Sequence, residues 1–276
     1  MAISAKDVKK LRDMTGAGMM DSKRALQAAG GDFEKAIDHL RKKGQKVAAK
    51  RADREANQGL VVTQISEDGS TGIIAEINCE TDFVARNSEF ASFANDIGAI
   101  ILHASPKDLD ALMALPFRGG RSVSEVLTDL TGKIGEKLGI RRFATLRSGG
   151  GTVVSYVHPG ARLGVLVDLK GNGQVETTGR DVAMQVAALN PVATNRDEVP
   201  QSVQEKEMEI AREAARASGK PDKILDRIAH GKLERYFKDH VLVEQAFVKD
   251  ASLTVGELLR QAGAEIRTFI RFALGD

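Results

Sequence analysis

Few side chains in this sequence stand where they could do covalent chemistry. The five histidines form no metal-ligand pair at helical spacing, and one cysteine, Cys79, cannot build a structural zinc site. Gly132-Lys133 is followed by Ile134 and lacks the upstream glycine of a phosphate loop. Gly171-Asn172-Gly173 lacks the third glycine of a dinucleotide turn, and no Gly-x-Ser-x-Gly elbow occurs. His158 falls in a turn between two strands, where a histidine is more often structural or solvated than a general base. No metal or other cofactor is expected, and covalent catalysis is the disfavoured class.

What remains is a different kind of chemistry, carried by Asn78-Cys79-Glu80-Thr81-Asp82-Phe83-Val84-Ala85-Arg86-Asn87. In a chain that is only 4% aromatic, Phe83 sits in a polar loop beside an acid. Two readings are open. Phe83 and Val84 fold back and cap their own core, as a hydrophobic staple does near a helix start. Alternatively, Phe83 is a probe held out for a partner.

The elements that must position this loop are legible on both sides. Ile73, Ile74, Ala75 and Ile77 lead in as a strand; Phe90, Phe93, Ala94, Ile97 and Ile101 lead out as an amphipathic helix. Upstream, residues from Ser4 to about Lys43 read as three short helices. Ser4 caps the first, Thr15-Gly16-Ala17-Gly18 breaks it, Gly30-Gly31 ends the second, and Asp32 caps the third. Spacing alone puts Met19 and Met20 in the thin core of this bundle. The competing reading leaves part of the pair exposed, because flexible thioethers suit a binding surface. A basic, Ala-rich stretch over 41–59 follows and reads as a helical linker; no aromatic residue interleaves its charges as a nucleic-acid site would require.

The rest is an internal duplication. Gly59-Leu60-Val61-Val62-Thr63 is echoed by Gly151-Thr152-Val153-Val154-Ser155, and a second strand opens thirteen residues later in each copy, at Gly72 and Gly164. Val123-Ser124-Glu125-Val126-Leu127 is echoed by Val255-Gly256-Glu257-Leu258-Leu259, and Ile140-Arg141-Arg142-Phe143 by Ile266-Arg267-Thr268-Phe269. Each half is therefore a hairpin, two helices and a last strand, an α+β fold with helices against a small antiparallel sheet. The second half has Lys170-Gly171-Asn172-Gly173-Gln174 where the first has the Phe83 loop, which favours the probe reading. It also carries an insert over about 200–240 that reads as an antiparallel helical hairpin. Val203, Ile210, Ala214 and Ala217 form its inward stripe on one helix, and Ile224, Ile228, Leu233 and Phe237 on the other. The expected domains are 1–45, a linker over 46–58, a first repeat over 59–148 and a second over 149–276.

With 276 residues, 42% hydrophobic and 28% charged, the chain is long enough for two or three domains. A net charge of +2 does not argue for nucleic acid. A lone cysteine, no apolar signal core and no membrane-spanning stretch agree with the cytoplasm.

Two stretches carry a resemblance. Leu11 to Leu26, LRDMTGAGMMDSKRAL, and Glu76 to Arg86, EINCETDFVAR, resemble the two signatures of the bacterial elongation factor Ts family. Ser22 stands where many members have cysteine, and the chain stops soon after Phe272, without the further C-terminal module of some members. The resemblance implies a three-helix ubiquitin-associated-like module, a duplicated core and a helical hairpin. It also implies a guanine-nucleotide exchange factor that acts on elongation factor Tu, GDP-bound and nucleotide-free, with no direct nucleic acid or membrane partner. Thr81, Asp82, Phe83 and Val84 would disturb the partner's magnesium and phosphate site. Arg12, Met19 and Met20 would pack on a helix of its nucleotide-binding domain, which reverses the core assignment for the methionines. His158, in Tyr156-Val157-His158-Pro159-Gly160, would touch another partner domain. Such a protein makes no covalent change and is not an enzyme. The alternatives are a passive interaction or chaperone-like module, and an enzyme acting through His158 and nearby acids.

Overall fold

The computed structural model describes residues 3–171 and 175–276. Helix α1 (Ala5–Thr15) opens with a reciprocal cap: Ser4 Oγ accepts from the Asp7 N–H at 3.1 Å, and the Asp7 carboxylate accepts from the Ser4 N–H at 3.3 Å. Gly16, at φ 66°, closes it in the left-handed conformation that glycine adopts without strain. Helix α2 (Met19–Ala28) follows, and Asp32 caps α3 (Phe33–Arg51) by accepting from the Lys35 N–H at 3.1 Å. The core of the three is Val8, Leu11, Ala25, Leu26 and Ala36, with Ile3, Phe33, Ile37 and Leu40 against it. These residues fill the small interior, and the methionines stay outside. The spacing-based placement of Met19 and Met20 in the core is thus corrected: they are 47% and 57% exposed.

Helix α3 runs unbroken through the first part of the basic stretch, to Arg51. Its partner is α7 (Val123–Ile134), and the two cross at glycines. A Cβ on Gly132 would lie 2.3 Å from the Gly44 Cα, so the crossing tolerates no side chain there.

Between these helices in sequence lie strands β1 (Gln58–Ile65) and β2 (Thr71–Cys79), a single helical turn α4 (Asp82–Ala85), α5 (Ser88–Ala104) and α6 (Leu109–Ala114). Strand β3 (Gly139–Arg147) completes a three-stranded sheet of order β1-β2-β3. The second copy has β4 (Thr152–Val157), β5 (Leu163–Gly171) and α8 (Val175–Leu189). After the insert come the short pair β6 (Ala246–Phe247) and β7 (Asp250–Thr254), α11 (Val255–Gln261) and β8 (Ala264–Ala273). Its sheet has the matching order β4-β5-β8, with β5 antiparallel to both neighbours.

The duplication extends to details that only packing could enforce. A Cβ on Gly59 would meet the Ile77 carbonyl oxygen at 2.1 Å, and one on Gly151 the equivalent Leu169 oxygen at 2.3 Å. Helices α7 and α11 open with the same reciprocal cap, Ser122 with Glu125 and Thr254 with Glu257. Each central strand buries an acid at the same position. Glu76 is paired with Arg142 at 2.7 Å and Arg141 at 3.5 Å; Asp168 lies 3.9 Å from Arg267. Buried carboxylates persist only with such partners. Helix α5 buries Phe90, Phe93, Ala94, Ile97 and Ile101, as its spacing predicts. Around β5, Val165, Val167 and Leu169 pack with Val182 and Val186 of α8 and with Leu259 of α11.

The insert is the expected hairpin, α9 (Gln201–Ala217) and α10 (Asp222–His240), packed on one another and tied by Arg212 to Asp226 at 2.7 Å. Its inward stripe differs from the expectation on α9. Val203 packs against the Leu233 and Phe237 cluster as expected, but Ile210 is half exposed, Ala214 and Ala217 are exposed, and the buried residues are Ala211 and Ala215. An alanine-rich helix offers two heptad-spaced stripes one residue apart. Gln204, Met208, Ala211 and Ala215 form the second, and the helix presents that one. On α10 the buried residues are Leu225, Ala229, Leu233 and Phe237, two of them as expected.

The described residues divide into two compact units. One takes in the chain up to Val62, Ala75–Phe143 and Leu274–Asp276; the other takes in Thr63–Ile74 and Ala144–Ala273. Among the described residues, no helix is long and apolar enough to cross a membrane.

Candidate partner-binding site

Strand β2 ends at a buried thiol, Cys79, whose Sγ–H points at the Thr81 carbonyl oxygen at 3.1 Å. Burial, with the nearby Glu136 charge as a second cause, pushes this thiol up to about 12, so it stays protonated near neutral pH. Two residues on, Thr81 takes extended backbone and caps α4, its Oγ1 accepting from the Val84 N–H at 3.4 Å. Asn87 then caps α5, accepting from the Glu89 and Phe90 N–H groups at 2.8 and 3.3 Å. The ten-residue stretch is therefore two helix caps with one turn of helix between them.

Phe83 occupies the outer side of that turn and is 80% exposed, so it does not cap its own core. Thr81, Asp82 and Val84 are half-buried around it. Asp82 accepts from Arg86 at 2.5 Å across the turn. The ring thus stands on the surface of a hydrogen-bonded turn and is no core element.

The base of the turn is held from α7 and α3. Gly135, at φ 81°, ends α7 in the left-handed conformation and turns the next two residues toward the loop. The Glu136 carboxylate accepts from the Thr81 N–H at 3.0 Å and from its hydroxyl at 2.7 Å. Glu80 in turn accepts from the Lys137 N–H at 2.5 Å and from Arg51 at 2.7 and 2.8 Å. The Lys137 N–H, followed by the Arg51 guanidinium, holds the Glu80 carboxyl below its usual range. Lys137 Nζ also donates to the Ala52 and Arg54 carbonyl oxygens at 2.7 and 2.8 Å. Sequence reasoning missed Glu136, Lys137 and Arg51. They stand 29 to 57 residues from their partners, and only the fold brings them together.

The other predicted residues lie elsewhere. Arg12 is half-buried, pairs with the neighbouring Asp13 at 2.8 Å, and shares the N-terminal bundle with the exposed Met19 and Met20. Met14, in the same signature, is 58% exposed and is a further apolar residue on this bundle. His158 is exposed in the β4–β5 turn, with its Nδ1 2.9 Å from the Tyr156 hydroxyl. The turn is closed by the His158 N–H to the Leu163 carbonyl at 2.9 Å. Of the second-repeat segment that replaces the Phe83 loop, Lys170 and Gly171 end β5; Asn172, Gly173 and Gln174 lie outside the described residues. Among the described residues, no group of three or more His, Cys, Asp or Glu side chains could hold a metal ion.

Similarity to known proteins covers this site and the whole chain. A sequence model of the family described as Elongation factor TS matches residues 80–276, beginning at the base of the turn. The elongation factor Ts of Chlorobium phaeobacteroides (strain BS1) is 46% identical over 99% of both chains. Those of Chloroherpeton thalassium and Chlorobium limicola are 45% and 46% identical, again over 99% of both chains. Both signature stretches, the duplicated α+β core and these full-length similarities agree that the chain belongs to the elongation factor Ts family, a family of translation elongation factors.

Proposed function

We propose that this chain is a guanine-nucleotide exchange factor for elongation factor Tu, which binds its GDP-bound and nucleotide-free forms and speeds GDP release without a covalent step. The observation that carries this reading is the 80% exposed Phe83 on a turn anchored at its base. Magnesium and the phosphate-binding loop supply much of a GTPase's hold on nucleotide. A ring wedged beside that site displaces the groups that hold the metal. The Asp82 carboxylate, brought near phosphate, adds like-charge repulsion. Thr81 and Val84 shape the turn, while Arg12, Met19 and Met20 of the N-terminal module supply a first docking surface and His158 of the second repeat another. The cytoplasm, where translation proceeds, is the setting this function requires.

Linkage gives the test. If this protein weakens GDP binding to elongation factor Tu, GDP weakens its own binding by the same factor. Titration into elongation factor Tu with and without saturating GDP is expected to give unequal affinities. Equal affinities would remove exchange as an equilibrium mechanism.

A further inference from the structure

We propose that Glu136 is a positioning residue for the Phe83 turn: with Glu80 it forms a reciprocal clasp that sets the turn before any partner is met. The inference rests on the exchange reading above. Two dipeptides, Glu80-Thr81 and Glu136-Lys137, exchange carboxylate-to-backbone bonds. Glu136 takes the Thr81 N–H at 3.0 Å, and Glu80 takes the Lys137 N–H at 2.5 Å. Glu136 does a second thing at 2.7 Å. By accepting the Thr81 hydroxyl hydrogen, it leaves an Oγ1 lone pair facing the Val84 N–H and so fixes the cap of α4. Phe83 lies between this cap and the Asn87 cap of α5.

Nothing in the fold itself demands this clasp. The second repeat builds the same hairpin, helix and strand, yet its matching junction between α11 and β8, Ala262-Gly263, contains no acid. The clasp is found in the copy that has the turn. A turn ordered in advance does not lose its backbone freedom on binding, so more of the contact energy of Phe83 is left to act on the partner's metal site.

Three variants test this: Glu136→Ala, which removes the clasp; Glu136→Gln, which keeps both contacts through an amide; and Thr81→Val, which removes the hydroxyl from the other side. In the free protein, Glu136→Ala is expected to lower hydrogen-exchange protection of the Thr81 amide roughly ten- to a hundredfold, the range for a bond to a charged acceptor, and that of the Val84 amide, whose acceptor is the neutral Thr81 hydroxyl, roughly two- to tenfold. Thr81→Val should act in the same direction at Val84. With elongation factor Tu carrying fluorescent GDP, Glu136→Ala and Thr81→Val should lower the maximal release rate while the half-saturating concentration moves less than about twofold, because the docking surfaces elsewhere are intact. Glu136→Gln should recover most of the rate. Unchanged amide protection in both clasp-breaking variants overturns the clasp, whatever the release assay gives. A loosened turn with the wild-type maximal rate overturns the positioning role. Wild-type protein that leaves GDP release unaltered overturns the exchange reading itself, and the amide measurement still judges the clasp.

Discussion

Replacing Phe83 by alanine separates two accounts of this residue by an amount that can be worked out beforehand. A Phe that caps a core loses about 3–5 kcal/mol on truncation. For a chain of this size, each kcal/mol moves Tm by about 2–4 °C, so melting would fall by roughly 6–20 °C. The ring is 80% exposed, and its turn is held by the Thr81 cap and by Glu136, none of which involves the ring. The change should therefore stay within about 0.5 kcal/mol, or under about 2 °C. The release assay should respond differently. Binding to elongation factor Tu survives through the N-terminal bundle and the second repeat, while the maximal rate of GDP release falls. Asp82→Ala should lower it too, and the double variant should fall short of additivity because both side chains act on one site. A melting calorimeter and a stopped-flow trace for Phe83→Ala decide the matter. A large drop in Tm, or full release activity at normal stability, refutes the assignment.

Three further outcomes follow from the packing and the charges. Gly132→Ala places a Cβ 2.3 Å from the Gly44 Cα, and forcing α3 off α7 should cost about 1–3 kcal/mol in chemical denaturation; an unchanged midpoint would mean that the helices do not meet at these glycines. Cys79, with its thiol pushed up to about 12, should react with a thiol reagent at pH 7.5 far more slowly in the native protein than in denaturant, and equal rates contradict its burial. The Glu80 carboxyl is held below its ordinary 4.5, so its contribution to stability is present above that pH and is lost as pH falls through the folded value. The stability difference between wild type and Glu80→Gln should be level in the neutral range and shrink below pH 4.5, whereas a gap that widens on acidification contradicts the pairing with Lys137 and Arg51.

Local chemistry made much of this legible from sequence. Ser4, Asp32 and the glycines at 16, 30 and 31 punctuate the first three helices because caps and left-handed turns depend on neighbours only a few residues away. The duplication was readable because both copies solve one packing problem with the same residue types, down to Gly59 and Gly151. Two things misled spacing. Met19 and Met20 have core-like periodicity, yet Leu11, Ala25 and Leu26 already fill a bundle that small. In α9, alanines at adjacent heptad stripes left the register undecided, and the helix buries Ala211 and Ala215 rather than Ala214 and Ala217. The grip on the turn was beyond reach for a different reason. Glu136 looks like any exposed acid after a helix until Gly135 reverses the chain and sets it against Thr81. Phe83 itself was visible, as an aromatic residue with no local partner in a polar run.

As an exchange factor, this protein should speed the escape of GDP from elongation factor Tu. Stopped-flow release of a fluorescent GDP from purified elongation factor Tu, chased with unlabelled GDP, measures it directly. The predicted result is a release rate that climbs with the concentration of this protein and saturates. A rate that stays at its uncatalysed value, at concentrations where binding is complete, would contradict the claim.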